Sequence, residues 1–261
     1  MTDVTHSTYV VAGNGASLMQ EAGGRILASD RMVRTNNFFF EPQSYLGLRV
    51  DLAVMGGDPR VAPFMFETLW RCRGTYDVRA WTSHNPAVIR AGKRRFHATY
   101  QPLRTGLPDL DARVSALIAR YDRKPMTGTY AVLAALGQGA ERIILTGMDF
   151  YQQDRRYSYA TGTSQRALLG ADLERRKVDA RQHDPALDLA VLSAVQEETG
   201  GFLQRASSGS LLDAIMPLAP VRDGPRPAIS PTDPPGDWAN RVGLYHISTL
   251  RVLRRLRRAF P

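Results

Sequence analysis

The chain has 261 residues, with 34 Lys and Arg against 25 Asp and Glu, and 43% of it is hydrophobic; that composition excludes a disordered chain and is long enough for one large domain or two small ones. A single cysteine, Cys72, excludes a disulfide framework and a Cys-rich zinc site. The net charge is +9, and neither an 18-residue apolar run nor a secretory leader is visible, so the expectation is a soluble or peripheral protein of a reducing cytoplasm.

Tyr9 to Ala12 is a short apolar run that stops at Gly13-Asn14-Gly15 and continues as Ala16-Ser17-Leu18. It reads as a buried strand, a tight turn and a helix start. Met32 to Arg34, Leu52 to Met55 and Val78 to Trp81 read as three more strands. Asp109-Leu110-Asp111 follows Gly106-Leu107-Pro108 and opens a helix pattern, with Asp109 or Asp111 as N-cap. Thr127 to Leu136 is Ala- and Leu-rich and reads as a helix with Gly137 as C-cap. Arg142 to Leu145 is a β-branched, apolar strand stopping at Thr146-Gly147. From Gln152 to Gln182 the chain turns polar and Arg-rich, an excursion from the sheet. Leu187 to Glu198 has helical periodicity and ends at Gly200-Gly201, and residues 220–238 form a proline-rich connection. Strands alternating with helices predict an α/β fold, a Rossmann-like, mostly parallel sheet with helices on both faces.

The charge is uneven. Five arginines (Arg251, Arg254, Arg255, Arg257, Arg258) lie between His246 and Pro261 with no acid, so removing that stretch takes the net charge from +9 to +4. Leu250, Leu253, Leu256 and Phe260 share one helical face there. A basic amphipathic helix over residues 250–260 suits an anionic membrane surface. Docking on the body or on a sister subunit would satisfy the same pattern. No aromatic residues interleave with these arginines, which argues against nucleic acid as a partner.

In an open parallel sheet, ligands bind beyond the carboxyl ends of the strands. Gly13-Asn14-Gly15-Ala16-Ser17 lies at such an end. Its glycines allow close approach of a ligand, and the free amides of the following helix favour a phosphate. Position 18 is Leu18 instead of the third glycine of a dinucleotide fingerprint, and an ordinary strand-to-helix turn has the same pattern. Arg34-Thr35-Asn36-Asn37 ends the second strand, where asparagine suits the edge of a base or sugar, or simply a turn. Thr146-Gly147-Met148-Asp149-Phe150-Tyr151 ends the strand before the excursion, with Tyr157 six residues on. Their phenols can donate to a phosphate oxygen, or pack at a domain edge. His183 stands in a polar stretch just before the helix expected to begin near Asp188, a candidate general base for a sugar hydroxyl or a surface histidine. Asp109-x-Asp111 opens a helix and does not end a strand, and no His-x-x-x-His pair or Walker lysine is present, so metal catalysis is not expected.

Four blocks, in order, resemble glycosyltransferase family 42, the bacterial lipooligosaccharide sialyltransferases. They are Val10 to Leu18; Val33 to Glu41 with Tyr45-Leu46-Gly47; Thr127-Gly128-Thr129-Tyr130 through to Thr146 and Gln152; and His183 to Asp188 with the helix after it. Ser210-Leu211-Leu212 to Leu218-Ala219-Pro220 is also similar, so the likeness covers roughly residues 9 to 220. The resemblance implies transfer of sialic acid from CMP-sialic acid to a galactose or terminal sialic acid, inverting the anomeric centre without metal or other cofactor. It implies a GT-A-like variant of the Rossmann-like fold: a nucleotide-binding domain of residues 1–151 and 184–245, a lid over about residues 152–183, and a tail of residues 246–261. By position, Asn14 and Ser17 would face the CMP phosphate and ribose, Asn36 and Asn37 the nucleotide and sialyl parts, and Thr127 and Gly128 the sialyl carboxylate. Gly15, Asp58, Lys124 and Gly147 complete the donor-binding set. Tyr151 and Tyr157 would hold the leaving phosphate, and His183 would take the acceptor proton. Relatives assemble as tetramers.

The chain departs from the family at two places. An Asn-Pro after the third strand becomes Gly56-Gly57-Asp58-Pro59, and an arginine before the Thr-Gly motif becomes Lys124 beside Arg123. Asp58 adds negative charge near a negative donor, which leaves another CMP-activated acidic sugar, such as CMP-Kdo, as an alternative donor. Lys124 keeps the charge and loses the fork. Arg155, Arg156, Arg166, Arg175, Arg176 and Arg181 make the lid arginine-rich, which suits an anionic acceptor. A second alternative is a non-catalytic, membrane-peripheral nucleotide-binding module.

Overall fold

A computed structural model describes residues 7–20, 23–57, 61–96, 98–163, 166, 171–173, 175, 183–234 and 247–259. Seven strands form one sheet: β1 (Thr8–Ala12), β2 (Arg31–Thr35), β4 (Leu52–Val54), β6 (Ala80–Thr82), β7 (Thr99–Tyr100), β8 (Arg142–Thr146) and β9 (Leu203–Arg205). Their order is β7-β6-β4-β2-β1-β8-β9, and each pairing is parallel. β3 (Arg49–Val50) and β5 (Asp77–Val78) make a separate parallel pair.

The expected strand from Val78 to Trp81 is therefore two strands in two sheets. The break has a cause on its neighbour. Asp51 separates β3 from β4 as Arg79 separates β5 from β6, and the two side chains meet at 3.2 Å. The Asp51 carboxylate also accepts from the Met32 amide at 2.8 Å, so this ion pair sits where both chains cross from the small ladder to the main sheet. β7 and β9, the two edge strands, are only two and three residues long.

The helices are α1 (Ala62–Arg71), α2 (Pro86–Lys93), α3 (Pro108–Tyr121), α4 (Thr127–Gly137), α5 (Pro185–Glu198) and α6 (Ile247–Ala259). Successive residues of β1 point to opposite faces. Tyr9 and Val11 pack into a core with α3, α4 and α5, while Val10 and Ala12 pack with Leu18, Ile26 and Met32. α1, α2, the Phe38-Phe39-Phe40 turn and Trp81 make a third cluster. α4 is buried continuously from Thr129 to Leu136 because it lies on β1 and β2 and also against α5, which explains why its sequence is apolar all round.

Three helix boundaries differ from the sequence expectation. α3 is started by Pro108 with Leu107 at the N-cap, so Asp109 and Asp111 occupy its first turn, where their charge meets the positive end of the helix dipole. Gly137 is the last residue of α4 and Gln138 is the cap; the left-handed residue is Gly139, at φ 81°. Gly137 answers a packing need instead, since a Cβ there would lie 1.7 Å from the Arg104 carbonyl oxygen. α5 begins at Pro185, capped by the Asp184 carboxylate accepting from Ala186 N at 2.9 Å, so Asp188 is inside the helix.

β1 is flanked by β2 on one side and β8 on the other, and the chain order runs outward in opposite directions from it. That is the topological switch point, and the crevice beyond the carboxyl ends of β1, β2 and β8 is where such a sheet binds a ligand.

Candidate active site

The turn after β1 is built into the turn after β8. Gly13 N donates to Thr146 O and Gly15 N to Gly147 O, both at 2.9 Å. A Cβ on Gly13 would lie 2.2 Å from the Gly147 carbonyl oxygen, and one on Gly15 would lie 2.5 Å from the Asp149 carboxylate. The two glycines are demanded by this contact whatever binds above it. Ser17 is buried and donates both its amide and its hydroxyl to Asp149. Asn14 donates its side-chain amide to Thr35 O at 2.9 Å, and its Oδ1 is buried with no partner among the described residues. A buried acceptor of that kind lacks a donor.

The ends of β2 and β4 are tied to the start of α4. Asn36 is left-handed at φ 47°, a conformation asparagine tolerates. Its Oδ1 accepts from Gly56 N at 2.7 Å and its amide donates to Thr127 Oγ1 at 3.2 Å. A Cβ on Gly56 would meet Thr127 Oγ1 at 2.3 Å, so glycine at 56 permits this three-way contact. No side chain caps α4, and its first-turn amides at Thr127 and Gly128 lie at the positive end of the helix dipole, which favours an anion. Asn37 gives its side-chain amide to the Tyr159 phenol, and its Oδ1, like that of Asn14, is a buried acceptor with no partner.

Beyond β8 the backbone is left-handed three times, at Gly147 (φ 62°), Phe150 (φ 49°) and Tyr151 (φ 58°). Two consecutive non-glycine residues in that region are a stored strain of the sort found at ligand sites. They aim Tyr151 at Arg156, whose guanidinium carbon lies 3.9 Å from the Tyr151 ring centroid and 5.4 Å from that of Tyr157. Tyr157 stacks on Tyr159 at 5.1 Å and 9°. Ser158 N donates to Asn14 O at 2.9 Å, which closes this segment over the β1 turn.

On the other side stands a group the sequence reading missed. His84 follows β6 and stacks face to face on Tyr130 of α4, with centroids 3.9 Å apart and planes at 7°. Burial above all, then the charges of Lys124 and His183, push its imidazole down to about 4, so it is neutral at physiological pH. His183 is thus close enough to His84 for one charge to act on the other. Asp188 lies beneath: its Oδ1 accepts from Met126 N at 2.8 Å and Thr129 Oγ1 at 2.5 Å. Burial lifts that carboxyl to about 6 and lifts the Tyr130 phenol to about 12.

The residues expected from sequence at Asn14, Gly15, Ser17, Asn36, Asn37, Lys124, Thr127, Gly128, Gly147, Tyr151 and His183 lie just beyond β1, β2 and β8 or just before or at the starts of α4 and α5, and Tyr157 lies in the segment beyond β8, next to Ser158, which bonds the β1 turn. Asp58 lies outside the described residues, as do Arg176 and Arg181 of the arginine-rich segment. Among the described residues no three His, Cys, Asp or Glu side chains are grouped to hold a metal ion.

Residues 107–242, more than half of the chain, match the family model of alpha-2,3-sialyltransferases (CST-I). The chain belongs to this family. The fold agrees along its length. The monofunctional alpha-2,3-sialyltransferase Cst-I from Campylobacter jejuni superposes with a TM-score of 0.74 at 17% identity, covering 98% of each chain. The sialyltransferase CstII from Campylobacter jejuni, in complex with cytidine-5'-monophosphate, superposes with a TM-score of 0.69 at 20% identity, over 88% of this chain and 91% of that one. CstII in complex with a trisaccharide acceptor and CMP gives 0.69 at 20% identity, over 87% and 91%. No curated protein matches the sequence. The family model takes in α3 to β9 of this sialyltransferase, including the third and fourth sequence blocks; the first two blocks lie before it and share in the fold match.

His84 had a usable signal. It ends an apolar strand in Thr82-Ser83-His84-Asn85-Pro86, where Asn85 caps α2 by accepting from Ala87 N at 3.0 Å. The strand-end rule that marks Asn14 and Asn36 marks this position too.

Proposed function

We propose that this sialyltransferase moves sialic acid from CMP-sialic acid to a galactose, or a terminal sialic acid, of a surface glycolipid, with inversion and without a metal ion. His183 is the general base, and Tyr151 and Tyr157 stabilise the departing CMP. The observation that carries the reading is the convergence at one switch point of groups suited to each part of the reaction. The buried acceptors Asn14 Oδ1 and Asn37 Oδ1 suit the amine and hydroxyls of a nucleoside. The uncapped start of α4 suits a carboxylate. The tyrosines suit a phosphate, and His183, just before the Asp184 cap of α5, suits a base for the acceptor hydroxyl.

Sialyl transfer passes through an oxocarbenium-like state while the phosphate gains charge. Donors fixed at the phosphate stabilise that charge with no rearrangement during the step. A base on the acceptor side, opposite the leaving group, gives inversion. Residues 152–183 act as the lid over the donor, the protein works as a homotetramer, and the tail holds it to the inner face of the cytoplasmic membrane.

The test is CMP release from CMP-sialic acid in EDTA, with and without lactose. We expect lactose-stimulated release that survives EDTA and falls at least ~100-fold in His183→Ala, the low end of a general-base contribution. Release from CMP-Kdo alone would reassign the donor. No release from any CMP-sugar, with CMP still bound, would make the protein a binding module.

A further inference from the structure

Arg156 lies beside the two tyrosines assigned above to the leaving phosphate. Its guanidinium lies against the Tyr151 ring and near the Tyr157 ring, at 3.9 and 5.4 Å. Both rings are themselves fixed. Tyr151 sits on left-handed backbone, and Tyr157 stacks on Tyr159, a core residue that Asn37 hydrogen-bonds. Two residues after Arg156, Ser158 N is bonded to Asn14 O, which sets the whole segment against the β1 turn. Arg156 is half-buried and its Nε is shielded from solvent. Asp149, the acid in the same turn, gives its carboxylate to Ser17.

The chemistry needs a cation there. The bond between the sialyl anomeric carbon and the phosphate oxygen breaks, and its electron pair stays on the phosphate. The acceptor oxygen bonds to the anomeric carbon, and its proton passes to His183. The phosphate thereby changes from a singly charged diester to a doubly charged monoester. Two phenols donate one hydrogen bond each and carry no charge. A guanidinium carries a full charge and a fork of donors matched to phosphate oxygens. Aromatic faces beside it hold the fork in place before the charge develops.

We propose that Arg156, held between Tyr151 and Tyr157, is a third catalytic group at the leaving phosphate and the source of positive charge there. The inference rests on the proposed function, and specifically on the assignment of the two tyrosines to the phosphate.

Calorimetric titration of the full chain with CMP and with cytidine tests it. Cytidine lacks the phosphate and reports everything else about the cleft. The wild type should bind CMP at least about tenfold more tightly than cytidine, as a charge-assisted contact implies. Arg156→Gln should lose about tenfold in CMP affinity with cytidine unchanged, and its CMP release rate should fall with it. Arg156→Lys should keep part of the preference. An unchanged CMP-to-cytidine ratio in a folded Gln variant overturns the proposal, and so does an equal loss for both ligands, which is what a mere clamp on the rings would give. If the Gln variant does not fold, the wild type decides. Its CMP affinity should fall between 50 and 500 mM salt while cytidine binding stays level; a salt-insensitive CMP affinity overturns the proposal. A wild type that binds no CMP overturns the proposed function and this inference with it. A wild type that binds and turns over CMP-sialic acid, with no ratio change in the variant, overturns the role of Arg156 alone.

Discussion

His84 shows how a residue can be put to use by its surroundings. Its imidazole is pressed on Tyr130 and held down to about 4, chiefly by burial and then by Lys124 and His183. In the unfolded chain the same group titrates near ~6.5. The folded protein therefore binds this proton less readily than the unfolded chain does. Its stability is lost as pH falls from about 6.5 toward 4. His84→Phe keeps a ring on Tyr130 and removes the titration. Melting both proteins at pH 7, 5.5 and 4.5 should show the wild type losing ~1–3 kcal/mol more than the variant at the lowest pH. Glu41, lifted by burial to about 7, and Asp188, lifted to about 6, shift stability the opposite way, but they are common to both proteins. Parallel pH profiles would show that the imidazole is not held neutral. Its position at a strand end was its one signal in the sequence, and a lone histidine adds no pattern to it, whereas Gly13-Asn14-Gly15 and Asn36 were legible: tight backbone contact and left-handed φ restrict which residues can stand there.

At the scale of elements, the strands that were legible are those buried on both faces. β1 and β8 are continuous apolar runs because helices or loops cover both sides of them. β7 and β9 were not, since two or three residues carry no period. One buried ion pair ties β2 to the aromatic layer. Arg34 and Glu41 are 1% and 0% exposed and bond directly, and the Arg34 guanidinium lies 5.3 Å from the Phe38 ring centroid. Arg34 immediately precedes Thr35 and Asn36, so the pair supports the end of the strand that carries the candidate site. Removing Arg34 leaves the Glu41 carboxyl buried without its main partner, so it must stay charged alone or take up a proton, and either costs stability. Arg34→Met should therefore destabilise by about 3–5 kcal/mol, while Arg34→Met with Glu41→Leu should recover most of that. Urea denaturation of both variants measures it, and a double variant no better than the single one would show that the polar groups, not the charge balance, hold the layer.

At the scale of the whole molecule, the sheet and the tail differ in what they present. The switch point gathers the site from β1, β2, β8, α4 and α5; strands alternating with helices predicted the parallel sheet, while the strand order is known from the structure. The tail is a separate matter. α6 spans thirteen residues with no acid in its first turn, and Val252 and Leu256, one helical turn apart, are 53% and 51% exposed. Arg251 and Arg255 are exposed beside them, while Phe260, the last member of the expected apolar face, lies outside the described residues. Exposed apolar and basic side chains on one helix are the two features of an interfacial helix, apolar area to bury and charge to attract anionic headgroups at about 1 kcal/mol per Arg. On the proposed reading, the five arginines of residues 247–261 hold the enzyme at an anionic membrane surface. Deleting residues 247–261 should leave turnover on lactose within twofold and abolish sedimentation with vesicles that contain phosphatidylglycerol. Binding by the full chain should weaken with salt, because the headgroup attraction is screened. Equal sedimentation of the two forms would return the tail to the alternative of docking on the body or on a sister subunit, and a change in oligomeric mass on deletion would then decide between those two.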